Sequence, residues 1–201
     1  MPCNWASGDD DVRHVFQVDA IYNLPFGLGR KCLANPGFVS AIVGGWTLTT
    51  IASERAGIPV NIIVNRNSSS VPTGDTVNQR PDLVPGVPLT PLAGSSPQLW
   101  INPAAFVAPA AGTEGDAPRN LLRGPGIWQT DLGLQKQIQL NERLQLLFRV
   151  EAFNLFNRAQ YGQPQTDTSS TTFGQILSTV NTGPVGTGTP RQLQFMLRLT
   201  F

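Results

Sequence analysis

The chain has 201 residues, of which 40% are hydrophobic and only 13% charged, with a formal net charge of +1, 20 glycines and 17 prolines. So little charge among so much Gly and Pro excludes coiled coils, helical bundles and charge-driven disorder. Near-neutrality also removes the excess of Lys and Arg that a phosphate-binding surface requires, so no nucleic acid partner is expected. No window holds ~18 consecutive apolar residues, which rules out a transmembrane helix and leaves a transmembrane strand open.

Met1-Pro2-Cys3-Asn4-Trp5 carries neither the basic head nor the apolar core of a secretory signal, and the acidic run Asp9-Asp10-Asp11 follows at once. The start therefore reads as cytoplasmic or as the ragged edge of a fragment. Cys3 and Cys32 are the only cysteines. An oxidising compartment would let them pair, free thiols fit as well, and neither is assigned a role.

From about His14 to Leu24, the apolar Phe16, Val18, Ala20, Tyr22 and Leu24 alternate with Gln17, Asp19 and Asn23, the pattern of a strand oily on one face and wet on the other. The connection from Pro25 to Gly45 is of intermediate length, with a short helical turn expected at Phe38 to Val43. A second strand runs from Trp46 to about Arg55, with Trp46, Leu48 and Ala52 on its apolar face and Ile51 on the other. Residues 66–125 are rich in Pro, Gly, Ser, Asn and Ala and show no period. They far exceed the ~12 to 15 residues at which an unstructured connection becomes unusual in a compact domain.

A pair of strands follows. Trp128, Leu132, Leu134, Ile138 and Leu140 share one parity, and so do Leu144, Leu146, Phe148, Val150 and Ala152. Both sets are even-numbered, so cross-strand partners must have an even sum if their side chains are to share a face. That excludes a two-residue turn and predicts the three-residue turn Asn141-Glu142-Arg143, with Leu140 opposite Leu144 and Ile138 opposite Leu146. Residues 158–190 are again rich in Gly, Thr and Ser, with a short pairing segment expected near Phe173 to Val180. The last strand sets Leu193, Phe195, Leu197, Leu199 and Phe201 on one face against Gln192, Gln194, Met196, Arg198 and Thr200 on the other.

Five major strands are thus expected, at about 13 to 24, 45 to 57, 127 to 139, 144 to 156 and 191 to 201. Their length suits the ~9 to 11 residues that a tilted strand needs to cross hydrocarbon, against five or six in ordinary strands. Short and long connections alternate as they do at the two rims of an outer-membrane barrel, and the chain ends on an aromatic residue. These features favour an all-β fold, an antiparallel transmembrane β-barrel segment, over a soluble sandwich. Five strands do not close a barrel that begins at about eight, and an open edge in lipid leaves backbone groups unpaired, so the barrel is incomplete. With the tight turn at 141–143 periplasmic, residues 66–125 and 158–190 become long extracellular loops.

The polar face offers Gln17, Asp19, Asp131, Arg149, Glu151 and Arg198 as lumen-facing candidates, which either line a ligand path or balance charge among themselves. Tyr22, Trp46 and Trp128 fit an aromatic girdle at headgroup depth, or ordinary strand packing. Arg123-Gly124-Pro125-Gly126 lacks the helix and Lys of a phosphate-cradling loop and reads as a loop closing into a strand. His14 is the only histidine, so neither a histidine-based triad nor a multi-histidine metal site is expected. No catalytic residue, metal ligand or cofactor is assigned.

The stretches Leu24-Pro25-Phe26-Gly27, Gly44-Gly45-Trp46, Asn78-Gln79-Arg80-Pro81, Trp100-Ile101-Asn102-Pro103-Ala104-Ala105-Phe106, Arg119-Asn120-Leu121-Leu122-Arg123-Gly124-Pro125-Gly126 and Phe153-Asn154-Leu155-Phe156-Asn157-Arg158 occur in this order before the aromatic-ended strand. The ordered set, from about His14 to Phe201, resembles the carboxyl-terminal barrel of TonB-dependent outer-membrane receptors. The subgroup it looks most like is the Oar-like receptors, which carry a carboxypeptidase-regulatory-like domain in front. The resemblance implies a Gram-negative outer-membrane location and uptake of a bulky ligand, energised by TonB acting on an amino-terminal plug. It also implies that Leu193, Phe195, Leu197, Leu199 and Phe201 form the signal read by the barrel-assembly machinery. The sequence departs from the family pattern in having no signal peptide, TonB box, plug or regulatory-like domain, so the first barrel strands and the plug are expected from elsewhere, with TonB reached only through that plug. The alternatives are a structural or adhesive outer-membrane barrel without transport, and a secreted β-sandwich binding module.

Overall fold

Alternation with period two becomes strand wherever it is sustained. In the computed structural model, which describes residues 5–27, 29–33, 35–71, 74, 79–92, 98–180 and 190–201, the elements are β1 (Val15–Asn23), α1 (Phe38–Val43), β2 (Trp46–Arg55), β3 (Pro59–Val60), β4 (Asp82–Leu83), β5 (Phe106–Val107), β6 (Leu122–Arg123), β7 (Ile127–Gln139), β8 (Gln145–Phe153) and β9 (Gln192–Thr200). Cys3 and Asn78 lie outside the described residues. Cys32 is an exposed free thiol. Among the described residues no helix is long and apolar enough to cross a membrane, which says nothing of strands. The chain divides into two compact units: Val15–Glu54, Trp128–Ala159 and Asn181–Phe201 in one, and Met1–His14, Arg55–Ile127 and Gln160–Val180 in the other.

The first unit is built on a five-stranded sheet in the order β1-β2-β7-β8-β9. At the β1–β2 pair, Leu24 N–H donates to Trp46 O (2.9 Å) and Thr47 Oγ1 to Asn23 Oδ1 (2.8 Å), which fixes an antiparallel register. The β7–β8 hairpin sets Ile138 opposite Leu146 and Leu134 opposite Val150, and Leu140 N–H donates to Leu144 O (2.9 Å). The three-residue turn is shaped by Asn141, whose Oδ1 accepts from the backbone N–H groups of Arg143 (3.0 Å) and Leu144 (2.8 Å). In β9, Leu197 faces Phe148, Phe195 faces Val150 and Leu193 faces Ala152.

These registers assemble one continuous apolar face: Leu132, Ala152 and Leu193 in one row, Leu134, Val150 and Phe195 in the next, Ile138, Leu146 and Leu199 in the last. A soluble sandwich would cover such a face. Instead Leu193, Phe195, Leu197 and Leu199 are 50 to 68% exposed. Among the described residues neither outer edge, on β1 or β9, has a strand partner, so the sheet is an open section of barrel wall.

One charge interrupts the apolar face. Lys136 stands opposite Phe148 yet is only 8% exposed. Its ammonium donates to the carbonyls of Ala41 and Ile42 at the end of α1 and lies 5.5 Å from the Trp46 ring centroid. Trp46 Nε1–H donates to Ile42 O (2.9 Å), and its ring meets Phe148 edge-on at 6.1 Å. The connection between β1 and β2 is pinned by two glycines: a Cβ on Gly27 would come within 2.6 Å of the Gly44 Cα. The glycines of Leu24-Pro25-Phe26-Gly27 and Gly44-Gly45-Trp46 are therefore where two backbones touch.

The second unit takes in most of the aperiodic stretch 66–125, and it has a core of its own. Val60, Ile62, Ile101, Ala105, Phe106 and Phe173 are buried together, with Phe106 and Phe173 edge-to-face at 5.6 Å. Strands β3 and β6 pair, as do β4 and β5, and isolated bridges join Leu99 to Gln175 and Tyr161 to Thr179. Trp100-Ile101-Asn102-Pro103-Ala104-Ala105-Phe106 is a structural knot. Ile101 and Ala105 are fully buried, Asn102 Oδ1 caps the 3-10 turn Pro103–Ala105 by accepting from Ala104 N–H (3.1 Å), and Trp100 Nε1–H donates to Arg123 O (2.8 Å). The order comes from tight backbone crossings rather than periodic strands.

The tightest crossing is Gly57, where a Cβ would lie 1.8 Å from Gly124 O. Because that neighbour is backbone, Gly57→Ala is expected to destabilise this unit by on the order of 3 kcal/mol, while Gly8→Ala, which meets nothing within 4 Å, leaves it unchanged. Limited proteolysis within residues 55–127 measures the difference.

Candidate functional site

The polar face of the sheet collects four of the six lumen candidates on β7, β8 and β9. Arg149 sits between Gln135 and Met196, Glu151 between Gly133 and Gln194, and Arg198 beside Leu147, which faces Gln137. Arg149 Nη2 contacts Glu151 Oε1 at 2.6 Å. An ion pair along one strand and partly open to water contributes at most about 1 kcal/mol, so the pair neutralises charge on the face more than it holds the fold. On β1, Gln17 Nε2 donates to Asp19 Oδ2 (3.3 Å).

Asp131, the fourth of that group, has a structural task. Its Oδ1 accepts from Gln129 Nε2 (2.8 Å) and from Asn154 N–H (2.8 Å), which ties β7 to the point where the chain leaves β8. There Phe153-Asn154-Leu155-Phe156-Asn157-Arg158 forms a clamp. Asn154 (φ 49°) and Asn157 (φ 51°) adopt the left-handed conformation that Asn tolerates better than most residues. The buried Asn154 side chain accepts from Arg158 N–H (3.0 Å) and donates to Arg158 O (2.9 Å). Asn157 Oδ1 accepts from Arg191 N–H (2.9 Å), delivering the chain into β9. Phe156 stacks on Trp128 at 5.2 Å, and the Arg158 guanidinium lies 5.3 Å from the Trp128 centroid. Trp128 therefore lies near one end of the sheet, whereas Tyr22 and Trp46 lie at the other end, where β1 finishes and β2 begins.

The second unit contains a polar cavity of about 680 Å³, lined by Asp9, Asp10, Asn61, Arg80, Arg119, Asn120, Gln163 and Thr166 over a floor of Ile58, Pro59 and Val60. Its volume lies within the range of small-ligand sites. The wall is assembled by Arg119-Asn120-Leu121-Leu122-Arg123, which binds the segment 7–11. Arg119 Nη2 pairs with Asp9 Oδ2 at 2.7 Å, Asn120 Nδ2 donates to Ser7 O (2.7 Å) and Asp9 Oδ1 (2.8 Å), and Arg123 donates to Asp11 O (2.8 Å) and Gly57 O (2.9 Å) and pairs with the Asp11 carboxylate. Asn61 Oδ1 is buried without a hydrogen-bond partner. The two carboxylates and two guanidiniums cancel, so the cavity suits a neutral or zwitterionic polar ligand. No period or motif in the sequence joined Asp9 and Asp11 to residues more than a hundred positions away. Only the opposite charges of Asp9-Asp10-Asp11 and Arg119/Arg123 carried a signal. Among the described residues no group of three or more His, Cys, Asp or Glu could hold a metal ion.

The Asn120 amide and then the Arg119 guanidinium hold the Asp9 carboxyl below its ordinary value of 3.8, and Arg123 followed by Ser7 does the same for Asp11. A carboxyl depressed in the folded state contributes stability above its unfolded value, and loses it as pH falls through the folded value. The segment 7–11 is therefore expected to stay docked at and above the ordinary carboxyl value of 3.8 and to release as pH falls below it through the depressed folded values, with a smaller pH-dependent loss in Asp9→Asn. Hydrogen exchange of residues 7–11 measures it. Asn154→Ala leaves a left-handed Ala and removes both bonds to Arg158. It is expected to lower stability by about 2 to 4 kcal/mol in urea unfolding from lipid vesicles.

Comparison with curated proteins and with solved structures gives no match at the level of significance required. A family model described as an outer membrane beta barrel domain matches residues 1–194. With an antiparallel sheet that exposes one largely apolar face and gathers most of its charges on the other, the chain belongs to the outer membrane beta barrel domain family.

Proposed function

We propose that this outer-membrane β-barrel protein is the carboxyl-terminal portion of a TonB-dependent receptor of the Oar-like kind, working in the uptake of a bulky ligand across the Gram-negative outer membrane. The observation that supports it most is the exposed stripe of Leu193, Phe195, Leu197 and Leu199 at a sheet edge that has no strand partner among the described residues. In lipid that stripe is solvated, and the open edge demands further strands from outside this chain. In this reading Gln17, Asp19, Arg149, Glu151 and Arg198 face the lumen, and Tyr22 and Trp46 at one end and Trp128 at the other meet the two interfaces. Residues 66–125 and 158–190 lie outside the cell, and 191–201 address the strand to the barrel-assembly machinery. TonB acts only through a plug supplied elsewhere, and the role is non-catalytic.

A second reading, a structural or adhesive barrel, draws support from the buried core of the second unit, since a folded body at the cell surface suits partner binding. Disrupting the inner-membrane TonB complex separates the two. Transport predicts that a compound held at the surface of the deficient strain enters the periplasm of the parent, whereas an adhesive barrel retains it equally in both.

The membrane assignment has its own test. In a Cys3→Ser/Cys32→Ser background, Leu197→Cys in native outer membranes is expected to react at least tenfold faster with a lipid-partitioning maleimide than with a charged impermeant one, and Gln194→Cys to show the reverse preference. Equal aqueous reactivity at both positions would remove the barrel reading.

A further inference from the structure

Lys136 poses a question that the barrel reading alone leaves unanswered: a lysine on the lipid-facing stripe, three residues from the end of β7, is expensive unless its charge is met by polar groups. Here the carbonyls of Ala41 and Ile42 and the Trp46 ring meet it. Those contacts place the end of α1 over the apolar side of the sheet, because Lys136, Phe148 and Trp46 all project from that side. The helix is six residues long, Phe38–Val43, with no charged residue in its first or last turn. It hides only Ser40, whose Oγ–H donates to Leu33 O (2.9 Å). Phe38 is 81%, Val39 59% and Ile42 52% exposed. This apolar surface continues that of the sheet and stands at the end that carries Tyr22 and Trp46.

We infer that α1 is a lipid-contacting element clasped to the outer wall of the barrel by Lys136, with Phe38, Val39 and Ile42 inserted at the bilayer interface of the leaflet nearest the 141–143 turn. The partner is the bilayer itself. Continuity with the lipid-facing stripe argues for it, since a water-facing helix at this position would interrupt an otherwise apolar surface with no gain in hydration. Lys136 acts as a positioning residue: its stem lies along the apolar face, and its ammonium satisfies helix carbonyls that lipid would leave without a donor. The inference rests on the lipid-facing assignment of the sheet.

Nitroxide labels at Val39→Cys, Leu197→Cys and Gln194→Cys, each in the full chain with Cys3 and Cys32 replaced by Ser and in native outer membranes, test it by collision with oxygen, which partitions into lipid, and with a water-soluble nickel chelate. The label at 39 is expected to favour oxygen severalfold, as at 197 and opposite to 194. Preference for nickel at 39 with oxygen at 197 overturns the inference and spares the barrel reading; preference for nickel at 197 overturns both. Shielding of 39 from both reagents also overturns it, because a protein partner then covers α1. Lys136→Met adds a readout on the clasp: the label at 39 is expected to gain a mobile spectral component with 197 unchanged, and an unchanged spectrum at 39 removes the positioning role of Lys136.

Discussion

A membrane-spanning sheet must meet two demands at once: every backbone group needs a partner within the ladder, and every side chain on the outer face must be compatible with hydrocarbon. The register of β7, β8 and β9 meets both between these strands, save at the open edge of β9 and at Lys136. The three-residue turn at 141–143 keeps even-numbered residues of β7 opposite even-numbered residues of β8, and β9 joins with its odd-numbered apolar residues on the same side. A slip of one position in either pairing would turn a whole strand over, placing Arg149 and Glu151, or Arg198, among lipid tails. Much of the remaining local chemistry in this unit holds that register. Asn141 shapes the hairpin turn, Asp131 ties β7 to the exit from β8, and Asn157 directs the entry into β9.

The exception is informative. Lys136 occupies a position where its neighbours are Leu134 and Ile138, and the structure answers with a local solution rather than a strand distortion. A short helix brings its final carbonyls to the ammonium, an indole ring lies beside it, and two glycines allow the connecting backbone to close tightly enough for the helix to reach. Sequence features that look unrelated, a Leu-Pro-Phe-Gly stretch and a Gly-Gly-Trp stretch, are parts of that one arrangement.

The second unit obeys a different rule. Its segments alternate little, and no amphipathic element long enough to announce itself runs through residues 66–125. Burial is achieved by single residues, Ile101, Ala105 and Phe173, each delivered by a turn or a short bridge. Backbones pass so closely that glycine is required at the crossing of Gly57 and Gly124. The acidic residues at 9 and 11 are captured by Arg119, Asn120 and Arg123 across a long stretch of sequence, and that capture forms part of the wall of the polar cavity.

The amino-acid sequence by itself determined the five long strands, their apolar and polar faces, the hairpin register and the short helix at 38–43, because each of these follows from interactions between near neighbours or from the parity of a tight turn. It also identified the stretches that matter, such as Phe153-Asn154-Leu155-Phe156-Asn157-Arg158, without revealing their task. Only the tertiary structure decided that Asp131 accepts from the backbone where the chain leaves β8, that Lys136 is held by helix carbonyls, and that Val60, Ile101, Phe106 and Phe173 share a core. Those outcomes depend on contacts between positions far apart in the chain, for which neither residue type nor spacing carries a local energetic signature.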